Sequence, residues 1–493
     1  MSGTSAKVRL SPYEAGNDLN LPDGWVYCKI GDILKVNYGK GLKEVKRNPG
    51  NISVYGSNGI VGQHNIALTK GPTIIIGRKG SVGVVHFSKE PCWPIDTTYF
   101  IDALDDLSPI YLLHVLRGLT LSDLDTSTAI PGLNRNDLYD QPIPLPPLPE
   151  QKRIAAKVEE LLARVNATKE RLAKVAAILK RFRQSVLATA SSGQLTVDWR
   201  TSKKNTEQRG AIIRRIIDTH DLAGIGHGGT AAPPTEGVHN LVEDEIPETW
   251  ALAELKWLCE PGRSITYGIL KPGPNQIEGV PYIRVADFPN GKLLLDKIRK
   301  TTNEIAGQYE RSALRAGDIL LSIRGTVGRV CRVPKELDGA NITQDSARIS
   351  VHPEISADYL EIYLKSPTVQ HRLDGAMKGV AVRGVNIGDV RALQISVPPL
   401  FEQSEIFRRV HSLFAFADAI DKRVTMAESR AENLSQATLA KAFRGELVPT
   451  EAELARREGR SYEPASALLA CIKDEHTQKG SNFRPLPRAQ KRT

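Results

Sequence analysis

The sequence predicts a mixed α/β (α+β) protein in which two repeated globular domains are joined by two long helices. Three observations carry that expectation: an internal repeat at fixed spacing, two helical stretches with a heptad seam, and short apolar strands cut by Gly-rich turns ahead of each helix. At 493 residues the chain is also too long for one hydrophobic core.

The repeat is direct. TAIPGLNRNDLYDQPIPLPPLPEQ, residues 128–151, realigns on VAVRGVNIGDVRALQISVPPLFEQ, residues 380–403, at a shift of 252. Ala129, Gly132, Asn134, Asp137, Pro146, Pro147, Leu148, Glu150 and Gln151 recur unchanged. The same shift carries LATASSGQLT from Leu187 onto LAKAFRGELV from Leu439, so no insertion separates the two ends. Upstream the shift changes while the likeness persists: LPDGW at Leu21 pairs with IPETW at Ile246, and GRKGSVG at Gly77 with SIRGTVG at Ser322.

Each stretch between PPL and the following Gly carries helix signals. Pro149 and Glu150, or Glu402 in the second copy, suit a helix N-terminus and its dipole, and Gly193 or Gly445 supplies the stop. About 42 residues give a helix about 60 Å long. Apolar positions alternate by four and three: Ile154, Val158, Leu161, Val165, Thr168, Leu172, Val175, Leu179, Phe182 and Val186. The second copy gives Ile406, Val410, Leu413, Ala417, Ile420, Val424, Ala427, Ala431, Leu434 and Thr438. A helix with so narrow a seam cannot bury it alone, so the two seams are expected to pair with each other. The first helix carries ten Lys or Arg against four Glu, consistent with a solvated face, a DNA-facing strip or a surface for an acidic partner.

The fronts, residues 19–149 and 246–399, read as mixed domains with strands such as TIIIG at Thr73 and DILLSI at Asp318. Residues 150–200 and 400–449 hold the helices, and 1–18 form an N-terminal extension. Residues 201–245 contain GIGHGGTAAPPTEG, a linker that neither packs a core nor continues a helix, and 450–493 form a loosely attached basic tail with Arg484, Arg488, Lys491 and Arg492.

A net charge of +10 favours an acidic partner. Cys28, Cys92, Cys259, Cys331 and Cys471 lie far apart with no zinc spacing, so no metal site is expected and a reducing cytoplasm fits. No signal peptide or membrane span is read, so a cytoplasmic protein without membrane contact is expected.

Two similar domains on a rigid spacer suit a ligand that offers two separated sites of one geometry, and duplex DNA repeats its grooves every 34 to 36 Å or so. Fronts that have diverged while the helices kept their length imply two different half-sites. The repeat with PPLPEQ and PPLFEQ, the seam helices, and the phrases VYGSNGIVG and PYIRVADF resemble the specificity subunit of type I restriction-modification systems over roughly residues 19–449. The resemblance implies two target-recognition domains, an antiparallel coiled coil with pseudo-twofold arrangement, and a bipartite asymmetric target whose gap the coiled coil sets. It further implies docking of two modification subunits and, in the restricting complex, two restriction subunits. S-adenosylmethionine, ATP and magnesium would then belong to those partners, with no cofactor bound by this chain and no catalysis in it. Consistently, the sequence has no phosphate-binding G-x-x-x-x-G-K-[ST] loop and no N-P-P-[YF] or D-P-P-[YF] methylation motif.

Candidate DNA contacts sit on Gly-rich loop sequence with donors and acceptors that base edges require: Tyr38, Lys40, Lys43, Ser57, Asn58, Gln63 and His64 in the first domain. Arg78, Lys79 and Arg324 flank glycines that admit close backbone approach to an anion. Tyr267, Lys271, Arg284, Gln344, Arg383 and Asn386 complete the second set. The recurrence of Asn134 and Asn386 also suits helix capping, and Trp25 and Trp250 suit core anchors. Two rivals stand beside this reading. One is a nuclease using Pro22-Asp23, Glu44 and Lys46, whose second copy shows Pro247-Glu248 without a matching E-x-K; the other is a coiled-coil scaffold binding protein or glycan.

Overall fold

A computed structural model describes residues 21–102, 104, 106–124, 132–202, 210–222, 246–378 and 383–481. The chain divides into two compact units, Met1–Leu172 with Met426–Thr493, and Ala173–Thr425. Arg484, Arg488, Lys491 and Arg492 lie outside the described residues, as does the GIGHGGTAAPPTEG segment.

In the first unit a continuous β-branched run, Thr73–Gly77, is buried along its whole length, as a central strand covered on both faces must be. It pairs antiparallel with Val85–Ser88 on one side and Thr98–Ile101 on the other, and Thr98–Ile101 in turn pairs with Asn37–Tyr38. A second sheet sets Ile52–Gly56 between Gly59–His64, antiparallel, and Cys92–Pro94, parallel. Val26–Lys29 pairs antiparallel with Pro142–Leu145, joining the start of the domain to the residues just before the long helix.

The second unit repeats this strand order. Its four-stranded sheet runs Thr266–Tyr267, Ser346–Ile349, Ile319–Ser322, Val330–Arg332. Its three-stranded sheet sets Val280–Ile283 between Arg299–Thr301 and Asn341–Ile342, and Ala251–Glu254 pairs with Gln394–Val397. The divergence is local. Where the first domain turns tightly between Gly56 and Gly59, the second inserts residues 284–298. Buried Asp287 organises that insertion by accepting from the Arg284 backbone N–H at 2.8 Å, and Phe288 seeds a separate small core with Ile283 and Leu320.

Two 44-residue helices, Leu148–Ser191 and Leu400–Phe443, each run about 65 Å. Within the first unit Lys169 meets Glu432 at 2.6 Å, and Arg153 meets Glu451 just past the second helix at 2.7 Å. Within the second unit Arg183 meets Asp418 at 2.7 Å, and Arg409 meets Asp198 just past the first helix at 2.6 Å. Partner numbers fall as helix numbers rise, so the pairing is antiparallel in both units. Ile154, Val158, Val165, Leu179, Val186, Ile406, Val410, Ala417, Val424, Ala431 and Thr438 are buried, while Leu161, Leu172, Val175, Phe182, Leu413 and Ile420 are half-buried.

Two seam expectations need correction. Thr168 is exposed, and Leu434 is 57% exposed, its turn of the seam being taken by half-buried Ser435. Both departures are local, since Val165 and Leu172 flank the first and Ala431 and Thr438 the second in the expected register.

The spacer and the tail also differ from expectation. Ala211–Leu222 is a helix whose Ile212, Ile213 and Ile216 join the core of the second unit. Glu451–Glu458 and Ala465–Ser481 are helices of the first unit, with Ala465 and Ile472 in its core. Apolar residues spaced three and four apart, Ile212, Ile213 and Ile216 among them, give the helix signal inside a segment that its glycines mark as a linker.

The recurring Glu-Gln pair explains why both copies keep it. Gln151 accepts from the Ser108 backbone N–H at 3.0 Å and donates to the Pro146 carbonyl at 2.9 Å; Gln403 accepts from Ser356 at 2.8 Å and donates to Pro398 at 2.9 Å. Ser108 and Ser356 are themselves N-caps of short helices, Pro109–Gly118 and Ala357–Leu364. Glu150, fully buried, accepts from the Trp25 indole at 2.9 Å and the Glu451 backbone N–H at 2.8 Å; Glu402, equally buried, accepts from Thr196 at 2.7 Å and pairs with Arg200. Burial raises the Glu150 carboxyl above its ordinary value, although both hydrogen bonds pull it back.

The stop glycines have a steric reason beyond capping. Gly193 has φ +77 and a Cβ there would lie 2.5 Å from Pro247 Cγ; Gly445 has φ +73 and would meet Pro22 Cγ at 2.4 Å. Gly193→Ala and Gly445→Ala are therefore each expected to lower stability by about 1–3 kcal/mol, read as a lower denaturation midpoint.

His114 is buried, and burial with Arg117 as a second cause pushes its imidazole down to about 4. The unfolded chain regains about 6.5. Stability present above that value is lost as pH falls toward 4, because the unfolded state binds the extra proton. About 2 kcal/mol should disappear by pH 5 through this group, and His114→Phe should flatten the melting-temperature slope between pH 7 and 5.

Candidate nucleic-acid interface

The two domains present a basic side chain at one matched place. In GRKGSVG, Lys79 forms a bridge to Gly132; in SIRGTVG, Arg324 forms the same bridge to Gly384, the repeat partner of Gly132. The following glycines, Gly80 at φ +80 and Gly325 at φ +70, turn the chain through a conformation that side chains resist. Lys79 and Arg324 are exposed. The central strand of each domain thus ends in a tight turn that lifts a cation off a buried sheet.

In the second domain the turn gathers other candidates. Arg324 donates to the Gln344 side chain at 3.0 Å, the Gln344 backbone N–H to Ile269 at 3.0 Å, and the Gly325 N–H to the Arg383 carbonyl at 3.2 Å. Lys271 and Arg383 are exposed. Asn386 is an exposed N-cap whose side chain makes no capping bond, whereas Asn134 accepts from the Asn136 N–H at 2.9 Å. Tyr267 packs against the main core. Arg284 is committed elsewhere: its Nε donates to Asp287 at 3.0 Å, and the same carboxylate holds its second nitrogen, so this guanidinium serves the insertion rather than standing free.

In the first domain Ser57 and Asn58 form the tip of the hairpin, and exposed Gln63 lies on its second strand. Lys43 is exposed before the turn Glu44–Lys46, and Lys40 lies 5.9 Å from the centroid of the Trp93 ring. His64 is 5% exposed, accepts from the Asn48 N–H at 3.0 Å and sits edge-on to Trp93 at 5.4 Å, so its role is packing and it is no free reader of base edges. Tyr38 is half-exposed, with Arg78 at 5.3 Å and Arg135 at 5.0 Å from its ring centroid. Arg78 also donates to the Asp96 carbonyl at 2.9 Å. Tyr99 lies edge-on beneath Tyr38 at 5.1 Å, and burial, with Tyr38 beside it, pushes its hydroxyl up to about 12.

Sequence reading missed Arg135. Its signal was present in the repeat, where the residue after recurring Asn134 is Arg and the residue after Asn386 is Ile387.

The nuclease alternative finds no support. Asp23 is exposed and faces Arg456 at 3.5 Å, and among the described residues no three or more His, Cys, Asp or Glu are grouped to hold a metal. Among those residues, no helix is long and apolar enough to cross a membrane.

Residues 22–177 and 247–426 each match the type I restriction modification DNA specificity domain, one match per repeat. The chain is 32% identical to the type I restriction enzyme EcoBI specificity subunit of Escherichia coli, across 97% of this chain and 98% of that protein. It is 27% identical to the EcoDI specificity subunit of Escherichia coli, across 93% and 97%. A solved chain described for complex assembly and conformational transition of the type I R-M system shares the fold, with a TM-score of 0.60 at 20% identity over 87% of this chain and all of that one. With two copies of the domain and relatives matched end to end, this chain belongs to the type I restriction-modification DNA specificity family.

Proposed function

We propose that the chain selects the DNA sequence on which a type I restriction-modification complex acts. The observation that carries this is the matched basic turn, Lys79 and Arg324, at one place on two domains of identical strand order. Each domain reads one half of a bipartite, asymmetric target in the major groove, and the differences around the shared turn make the halves differ. Lys40, Lys43, Ser57, Asn58, Gln63, Tyr38, Arg78, Lys271, Gln344, Arg383 and Asn386 supply contacts around these turns. The paired helices set the gap and dock two modification subunits, which two restriction subunits join in the full complex. Methyl transfer, translocation and cleavage belong to those partners, with S-adenosylmethionine, ATP and magnesium. This chain is a cytoplasmic, non-catalytic member.

Co-purification with its modification subunits, followed by mapping of methylated adenines, should return two unlike half-sites at one fixed gap. Exchanging the front domain ahead of Pro146 for that of another member should change one half-site and leave the other; a change in both halves would count against modular reading.

Removing one heptad from both long helices should shorten the gap and leave both half-sites intact. An unchanged gap would remove the helices from that role.

A further inference from the structure

The two domains differ most sharply at positions that are otherwise equivalent. Tyr38 and Tyr267 hold the same place in their sheets, opposite Tyr99 in the first domain and Ala347 in the second. Before the shared basic residue stands Arg78 in one copy and Ile323 in the other; after the recurring Asn stands Arg135 in one and Ile387 in the other. In the second domain this neighbourhood is apolar: Ile323 and Ala347 are buried in the main core, and Tyr267 and Ile387 pack against it. The first domain replaces that packing with two cations and leaves Tyr38 50% exposed.

Burying apolar surface there would have stabilised the first domain as it does the second, so the replacement needs another reason. Arg78 and Arg135 both lie over the Tyr38 ring, at 5.3 and 5.0 Å from its centroid, and Arg135 also lies 5.8 Å from that of Tyr139. Aromatic faces orient guanidinium groups without neutralising them. No carboxylate among the described residues forms an ion pair with either arginine; the Nε of each is buried without a hydrogen-bond partner, which leaves the terminal guanidinium nitrogens as the donors for a ligand. Two uncompensated guanidinium groups on one ring fit an anion with more than one acceptor oxygen. A phosphodiester carries the charge that these unpaired cations lack and accepts paired N–H bonds from guanidinium donors.

We propose that Arg78 and Arg135, aligned by Tyr38, form a phosphodiester clamp in the first recognition domain that the second domain lacks. The assignment rests on the DNA-reading function above. It makes Arg135 a contact that fixes the register of the duplex, leaving discrimination between bases to the neighbouring turn and hairpin.

The test uses the full chain with its modification subunits, a duplex carrying the mapped target and an unrelated duplex of equal length, across a salt series. Arg135→Gln should weaken both duplexes to a similar degree, about 3- to 10-fold near 0.1 M salt, and lower the slope of log affinity against log salt by about one. Arg135→Lys should restore the slope, and the preference for the target should be unchanged in both variants. If Arg135→Gln lowers the melting temperature, Arg78→Gln is read by the same criteria. An unchanged slope and affinity, or a loss confined to the target duplex, overturns the clamp while wild-type binding leaves the wider function standing. Failure of the wild-type complex to prefer the target overturns the function itself, and the clamp with it.

Discussion

The structure depends on a pair of buried side chains at the start of each long helix. Glu150 with Gln151, and Glu402 with Gln403, are all fully buried. An amide or carboxylate in that position costs several kcal/mol unless its polar atoms are satisfied. Gln151 and Gln403 are satisfied by the backbone at the head of a short helix and by a proline carbonyl before the long one, so each fixes the angle at which a long helix leaves its domain. Each Glu then holds a segment that follows the opposite long helix: the Glu451 backbone in the first unit, Thr196 and Arg200 in the second. Where the polypeptide is held in this way, the start of one long helix and the chain just past the end of the other are tied into the same unit.

Those ties divide what may vary from what may not. Residues beneath the Glu-Gln pair, such as Tyr111 and Tyr359, donate to matched carbonyls of Pro144 and Ser396 and keep their length and register. Farther away, a two-residue turn in one domain becomes a fifteen-residue connection in the other, whose Phe288 packs in a small core with Ile283 and Leu320, at no cost to the strand order. The scaffold therefore tolerates change in its connecting loops while its foundations stay constant.

Much of this was legible in the residues. The fixed shift of 252 revealed the duplication, and the four-three spacing from Ile154 and Ile406 located the paired helices, because both patterns come from backbone geometry that any sequence must obey. The exposure of Leu434 between buried Ala431 and Thr438 was not legible, since apolar character at a seam position does not say whether the partner helix covers it. Nor was the fate of His64 and Arg284, whose side chains look like readers until a distant Asn48 or a nearby Asp287 is seen to occupy them. Donors and acceptors can be counted from sequence; which of them are already spent depends on tertiary neighbours. Arg135 escaped notice for the converse reason, because its partner ring lies on a strand almost a hundred residues earlier.

The first unit is assembled from the beginning and the end of the polypeptide, whereas the second is a single uninterrupted stretch. On a ribosome the order of maturation is thus reversed with respect to the order of synthesis. The later globule has all its parts as soon as the second long helix is half made, while the earlier one waits for helices Glu451–Glu458 and Ala465–Ser481 to emerge. Until then the indole of Trp25 and the carboxylate of Glu150 lack the strand of chain that covers them, and nascent molecules cut short near their ends would carry a finished second reader beside an unfinished first one.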